Sequence, residues 1–396
     1  MMRKKQAGAL LLCISLVFVG GCWDSKELND QALQVGTGID LNEEGEFVLS
    51  NQFSLNSSGP SSEGNSQQES YTEMTKGDNV FKASAAMQAR ITRKINRGQR
   101  TSIAIGEKLA REGLKQIIDI YTRTPEAQLR NDLFIVKGGF AADLLNSSTP
   151  FGSLSQREYF KLHQAQKEVA DVTLMNMLRS VNGDSQSGAI VPAMERVQAP
   201  ISGEQKQKKQ NKYAYTGVAV INNDLKLVGF LNNEETAKAL WLLKRPHIQY
   251  ASTYIPEGSG LVTAKLSSLK CKIKAGFGEN TELHIAMKAN AELMENGTNL
   301  DLLSVANLKL IEQALELHTR KQFTELIHKV QSEYKTDIFN FGDTIFRYYP
   351  SQWRRLQNRW ESEFPKAAVT VKVDIKVKRV GLTGGPVQLK EGELEH

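Results

Sequence analysis

Near the C-terminus, Val369, Val371, Val373, Ile375 and Val377 alternate with polar neighbours that include Lys372, Asp374, Lys376 and Lys378. Side chains that switch face at every residue define a β-strand, here with one buried and one wet face. Just upstream, residues 300–335 read as one long helix. Its buried stripe is Leu308, Ile311, Leu315, Phe323, Leu326, Val330 and Tyr334. Glu316 with Arg320 and Glu325 with Lys329 stand four apart on its outer face, the spacing of ion pairs along a helix. A long amphipathic helix beside a one-sided strand requires a sheet with helices packed on it.

The rest of the chain repeats that alternation of element types. Residues 24–33 suit a short helix, and 35–40 and 47–55 a hairpin around the turn residues Asn42 to Gly45. Residues 56–70 carry no apolar side chain other than Pro60 and read as a surface loop. The chain returns as a strand near 71–75. Helices are expected at 79–96 and 109–123, strands at 103–105 and 132–137, and one or two further helices within 159–180. Residues 213–221 and 225–230 form a second hairpin, and Asn233 caps a helix over 234–243. Long paired strands are expected at 261–276 and 282–295, then the long helix, a second helix through Trp353 and Trp360, and the last strand. The class is therefore α/β of the α+β type, with mixed and antiparallel sheets flanked by helices. Three domains are expected: 22–200, a small middle unit 213–258 after a polar, basic linker 201–212, and 259–396.

The N-terminus carries a different signal. Arg3, Lys4 and Lys5 precede an apolar run of 13 residues, Ala7 to Val19, which leads into Gly20, Gly21 and Cys22. A membrane-spanning helix needs roughly 20 apolar residues, so this is a cleavable export signal covering 1–21. A cysteine directly after small residues is the mark of a bacterial lipoprotein. Cleavage between Gly21 and Cys22 is expected, with the Cys22 thiol carrying diacylglycerol. Two or more acyl chains give stable attachment, at about 0.8 kcal/mol per buried CH2.

Composition narrows the function. Loss of residues 1–21 removes three positive charges and no acid, so the net charge falls from +6 to +3. No dense Lys/Arg cluster is interleaved with stacking aromatics, which argues against nucleic acid as a partner. Cys13 leaves with the signal and Cys22 is consumed by lipid. Cys271 is then the remaining thiol, expected as a small buried hydrophobe without a disulfide. His163, His247, His284, His318, His328 and His396 show no zinc spacing, and no Walker A sequence is present. The pairs Ser267/Lys270 and Ser332/Lys335 have a Ser-x-x-Lys spacing but no partner motifs. No catalytic residue, metal ligand or cofactor site is expected, and the chain is read as a non-enzyme.

Several stretches in a shared order resemble one family. These are Cys22-Trp23-Asp24 with Glu27-Leu28, Asp119 through Glu126 followed by Arg130, and Gly217 through Gly229. Glu234 to Thr236 with Leu240-Trp241 follows, then Asp337 to Gly342, Tyr349-Pro350, Trp353 and Trp360. Together they resemble the Ger(x)C spore germination lipoproteins. The resemblance implies a C subunit of a nutrient germinant receptor, anchored through Cys22 on the outer face of the spore inner membrane. It implies integral membrane A and B subunits as partners, a three-domain architecture, and no catalytic residues to transfer. The alternative function is a solute-binding lipoprotein that captures a small nutrient. Candidate interface residues are Tyr121, Arg123, Arg130, Trp353 and Trp360. For the tryptophans, seven residues apart, core packing against the final strand competes with a role as interface anchors. Tyr121 is expected to pack inward, with Arg123, Glu126 and Arg130 in an ion network or facing a partner.

Overall fold

The computed structural model describes residues 30–54, 70–124, 128–147, 173–185, 187–197, 212–245 and 248–381. The signal segment, Gly21, Cys22, most of the polar loop at 56–70 and the linker up to residue 211 lie outside the described residues.

The first sheet starts as expected with the hairpin β1 (Gln31–Leu41) and β2 (Phe47–Ser54). Gly45 adopts φ +82°, and the side chain of Asn42 accepts the Glu46 N–H at 2.7 Å. That is the backbone freedom and local capping a tight turn needs. β3 (Ser70–Gly77) adds antiparallel to β2. Helix α1 (Val80–Arg90) buries Val80, Ala83 and Met87, and Asn79 caps it by accepting from the Lys82 N–H.

The helix expected to run to Asn96 stops at Arg90. Lys94–Asn96 forms a short strand, β4, parallel to Gln31–Leu33 of β1. The same pairing makes residues 31–33 strand where a helix over 24–33 was expected. In both places ladder hydrogen bonds outweigh a helical pattern that is weak in itself.

β5 (Ser102–Gly106) lies parallel to β1, and β6 (Asp132–Lys137) parallel to β5. The expected helix 109–123 is two helices, α2 (Glu107–Glu112) and α3 (Lys115–Arg123). Gly113, at φ +130°, ends the first by donating to the Leu109 carbonyl at 3.0 Å. Helices α4 (Ala141–Leu145) and α5 (Leu174–Val181) follow. β7 (Ala189–Val197) is parallel to β6, and β8 (Lys212–Ile221) and β9 (Leu227–Leu231) continue antiparallel. The resulting order is β3-β2-β1-β5-β6-β7-β8-β9, with β4 also beside β1.

Helix α6 (Asn233–Leu242) is capped by Asn232, one residue before the expected Asn233, in a capping box with Glu235. β10 (Gln249–Ile255), β11 (Gly260–Phe277), β12 (Thr281–Asn296) and β13 (Ala368–Arg379) form the second sheet in that order. The final strand pairs parallel to β12 and buries Val371 and Ile375 while Lys372 and Lys378 are exposed. The strands at 213–258 therefore build no sheet of their own. β8 and β9 lengthen the first sheet, and β10 is the outer strand of the second.

The long helix α7 (Val305–Lys329) ends in a π-turn, Val330–Tyr334. Two of its glutamates, Glu312 and Glu316, make tertiary contacts. Glu316 and Glu312 accept the backbone N–H groups of Ile375 and Val377, each at 2.9 Å, and Glu312 also holds Lys376. Lys329 pairs with Glu235 at 2.8 Å, and Glu325 pairs with Lys321. The expected pairs Glu316–Arg320 and Glu325–Lys329 give way to these. A partly buried glutamate on a strand N–H satisfies an open edge, worth more than the few tenths of a kcal/mol of an exposed i,i+4 pair.

Helices α8 (Phe341–Tyr348), α9 (Pro350–Leu356) and α10 (Trp360–Glu363) precede β13. One contiguous core runs from Ile39 through Trp241 and Phe323 to Ile375, spanning both sheets. At the junction the Tyr334 hydroxyl donates to the Phe230 carbonyl at 2.7 Å. Among the described residues no helix is long and apolar enough to cross a membrane.

Candidate functional site

The five candidate interface residues separate into three environments. Trp353 and Trp360 are 2% and 1% exposed, so neither is free to anchor a partner. Their rings meet edge to face with centroids 5.9 Å apart, a contact worth about 0.5–1.5 kcal/mol beyond burial. The Trp360 Nε1–H donates to Oδ2 of Asp337 at 3.1 Å. Asp337 also accepts from the backbone of Phe339, Phe341 and Gly342. Burial, first of all, pushes its carboxyl above the ordinary range, while these donors pull it back. The resemblance stretch Asp337–Gly342 and the two tryptophans are thus one structural knot.

Arg123 and Arg130 are exposed. Arg123 pairs with Asp119 at 2.7 Å along α3, a pair too exposed to contribute much stability. Glu126, expected in the same network, lies outside the described residues.

Tyr121 packs inward as expected, and it borders a cavity of about 230 Å³ that the sequence did not announce. The walls come from five segments. β1 supplies Gln34 and Thr37, β2 Leu49 and Asn51, and α1 Val80, Phe81 and Ser84. The turn after β4 supplies Arg97 and Arg100, and the end of α3 supplies Ile120, Tyr121 and Thr124. Arg100 is 6% exposed and its guanidinium lies 4.7 Å from the centre of the Tyr121 ring. Its Nε and Nη2 have no hydrogen-bond partner. Gln34 donates to Asn51 Oδ1 at 2.9 Å, Thr37 donates to the same oxygen at 3.0 Å, and Gln34 Oε1 has no partner. Arg97 donates to Ser84 Oγ at 2.9 Å. The walls hold two cations and no carboxylate. Sequence reading missed this group because its members lie up to 90 positions apart and converge only through strand pairing.

Other reactive groups are spoken for. Asp40 accepts the N–H groups of Ala141 and Ala142 at 2.7 and 3.1 Å, capping α4. Burial raises its pKa to about 6, against the pull of those two donors and with a push from Asp143. Burial also pushes the half-buried Cys271 thiol up to about 11, so it is protonated and unreactive at neutral pH. Ser267 and Lys270 flank an irregularity of β11 where Ser268 takes φ +54°, and the Ser332 hydroxyl donates to the His328 carbonyl. Among the described residues no three His, Cys, Asp or Glu side chains converge as metal ligands.

A mixed sheet and a four-stranded sheet joined through one core and flanked by helices, with more than one cavity among the described residues, define a protein of the α/β class. Comparison with known proteins narrows that class. The family described as "Spore germination protein N-terminal domain" matches residues 24–196, and "Spore germination B3/ GerAC like, C-terminal" matches 216–381. The chain belongs to the Ger(x)C family of spore germination proteins. Spore germination protein KC of Bacillus subtilis (strain 168) is 23% identical, with 98% of each chain covered. Spore germination protein B3 of the same organism is 23% identical, covering 93% of this chain and 96% of the relative. The crystal structure of the GerBC protein superposes with a TM-score of 0.58 at 20% identity, covering 87% of this chain and 97% of that one. That likeness shows a shared fold.

Proposed function

We propose that this protein is the lipid-anchored C subunit of a nutrient germinant receptor. It acts without catalysis, through contacts with integral membrane A and B subunits, on the outer face of the spore inner membrane. One observation carries the reading: the Val19-Gly20-Gly21-Cys22 cleavage signal stands directly before the matched family region that begins at residue 24. Acylated Cys22 then confines the folded units to the membrane surface. Confinement raises the effective concentration for neighbours in the same membrane, so modest contacts suffice for a complex. Arg123 and Arg130, exposed near the end of α3 and before β6, are contact candidates for such a neighbour. Trp353, Trp360 and Tyr121 are withdrawn from that role because they are buried.

The test is the intact mass of full-length protein purified from membranes. A chain beginning at Cys22 with diacylglycerol on its thiol is expected. An unmodified thiol, or a retained signal segment, contradicts the anchor.

A further inference from the structure

We infer that the basic turn beside the start of β1 is a docking surface for anionic lipid headgroups, and that it sets how the tethered protein stands on its membrane. The inference rests on the lipid anchor proposed above. Residues 79–106 hold six cations, Lys82, Arg90, Arg93, Lys94, Arg97 and Arg100, and no acid. Arg100 is buried, Arg90 pairs with Glu73 at 3.2 Å, and Lys82 pairs with Asp78. Arg93 and Lys94 are exposed and Arg97 is half-buried. Among the described residues none of these three meets a carboxylate, and Arg97 donates to Ser84 instead. The turn is held in shape from α1. Gln88 Nε2 donates to the Arg93 carbonyl at 2.9 Å, and Gln88 Oε1 accepts the Ile95 N–H at 3.1 Å. Lys94 then stands opposite Gln31, the first residue of β1.

The anchor reaches the fold at this same end. Gln31 comes nine residues after Cys22, so even a fully extended connection spans about 30 Å. β1 runs away from that point for 11 residues, about 35 Å. Its far end opens into the turn that carries Glu43, Glu44 and Glu46. Unpaired cations therefore gather at the tethered end and carboxylates at the other. Asp30, exposed just before β1, is an acid at the cationic end and still leaves it net positive. A surface of anionic lipid attracts the first end and repels the second. The attraction fades within about 10 Å in ~0.1 M salt, and the short tether keeps the turn within reach of it. The acyl chains supply attachment, and the turn supplies orientation. An acidic protein segment would also suit these charges, but the tether brings lipid to this end of the fold.

Vesicle co-sedimentation tests it, using the mature chain, residues 22–396, with Cys22→Ala and therefore no acyl group. The vesicles are phosphatidylcholine with or without about 30% phosphatidylglycerol. The chain is expected to bind the phosphatidylglycerol vesicles, to ignore the neutral ones and to release in high salt. Adding Arg93→Glu and Lys94→Glu should weaken binding roughly tenfold or more, on a scale of about fivefold for each cation lost. Adding Lys372→Glu and Lys378→Glu instead makes the same change of charge on β13 and should leave binding within about twofold. Thermal unfolding checks that both variants fold. A chain with no preference for phosphatidylglycerol overturns the proposal and leaves the turn to an acidic protein neighbour. It is equally overturned if the first variant binds undiminished, or if both variants lose binding alike. Because no acyl group is present, either outcome leaves the acylation of Cys22 to be judged by its mass.

Discussion

The indole N–H of Trp360 donates to the carboxylate of Asp337 across 3.1 Å, in a region where neither residue touches solvent to any extent. That carboxylate gathers three further backbone donors, from Phe339, Phe341 and Gly342. It shapes the bend into α8 and fixes both tryptophans behind β13. Trp360→Phe keeps most of the ring volume but removes one donor, and should cost about 1–3 kcal/mol in urea unfolding. Asp337→Ala strands four donors and should cost more. If Trp360→Phe unfolds like wild type, the bond contributes packing geometry only.

Gly229 of β9 admits the ring of Tyr334: a Cβ placed there would lie 2.2 Å from Tyr334 Cε1. This approach joins the first sheet to the end of α7. Gly229→Ala should displace the ring, break its bond to the Phe230 carbonyl and cost about 1–3 kcal/mol. Thermal unfolding measures the loss, and an unchanged midpoint would mean the junction yields freely.

Asp40 makes stability depend on pH. Its folded pKa, about 6, lies above the ordinary 3.8 because of burial. Between those values the folded chain holds a proton the unfolded chain has released, so stability falls as pH rises through that window. The shift corresponds to a loss of up to about 3 kcal/mol. Asp40→Asn still offers one oxygen to the Ala141 N–H but does not titrate. The difference in unfolding free energy between variant and wild type should therefore change across the window and be constant above it. A difference that is constant throughout contradicts the assignment.

The Glu312 and Glu316 carboxylates cover the outer N–H groups of β13. Replacing both by alanine should destabilise the chain by about 1–3 kcal/mol and open a strand edge to pairing. Light scattering should then show stronger concentration-dependent self-association than wild type does. A variant that is weaker but strictly non-associating would limit the glutamates to a local role.

Most of the strands were legible because their patterns are local. Asp132–Lys137 and the long pair β11–β12 match within a residue or so, since alternation or an apolar run fixes them before any partner arrives. Errors came where partners distant in sequence decide. Residues 31–32 and 94–96 become strand by pairing with each other, and α2 and α3 separate because Gly113 can adopt φ +130°. Glu316 looked like a helix-surface charge, yet the strand that it and Glu312 serve lies about 60 residues on. Trp353 and Trp360 were read with two meanings, and burial chose the core. The cavity was hidden for the same reason: Gln34, Arg100 and Tyr121 are unremarkable alone, and the topology assembles them.

Membrane-tethered receptor function is tested most directly by germination itself. Spores carrying wild-type protein and spores carrying Cys22→Ala would be compared for nutrient-triggered loss of optical density across a panel of amino acids and sugars. The variant must be confirmed present by immunoblot. Loss of the response to one class of nutrient, with the others intact, is the result expected of a receptor subunit that works only when anchored. Unchanged germination across the whole panel, with the variant protein present but released from the membrane, would contradict it.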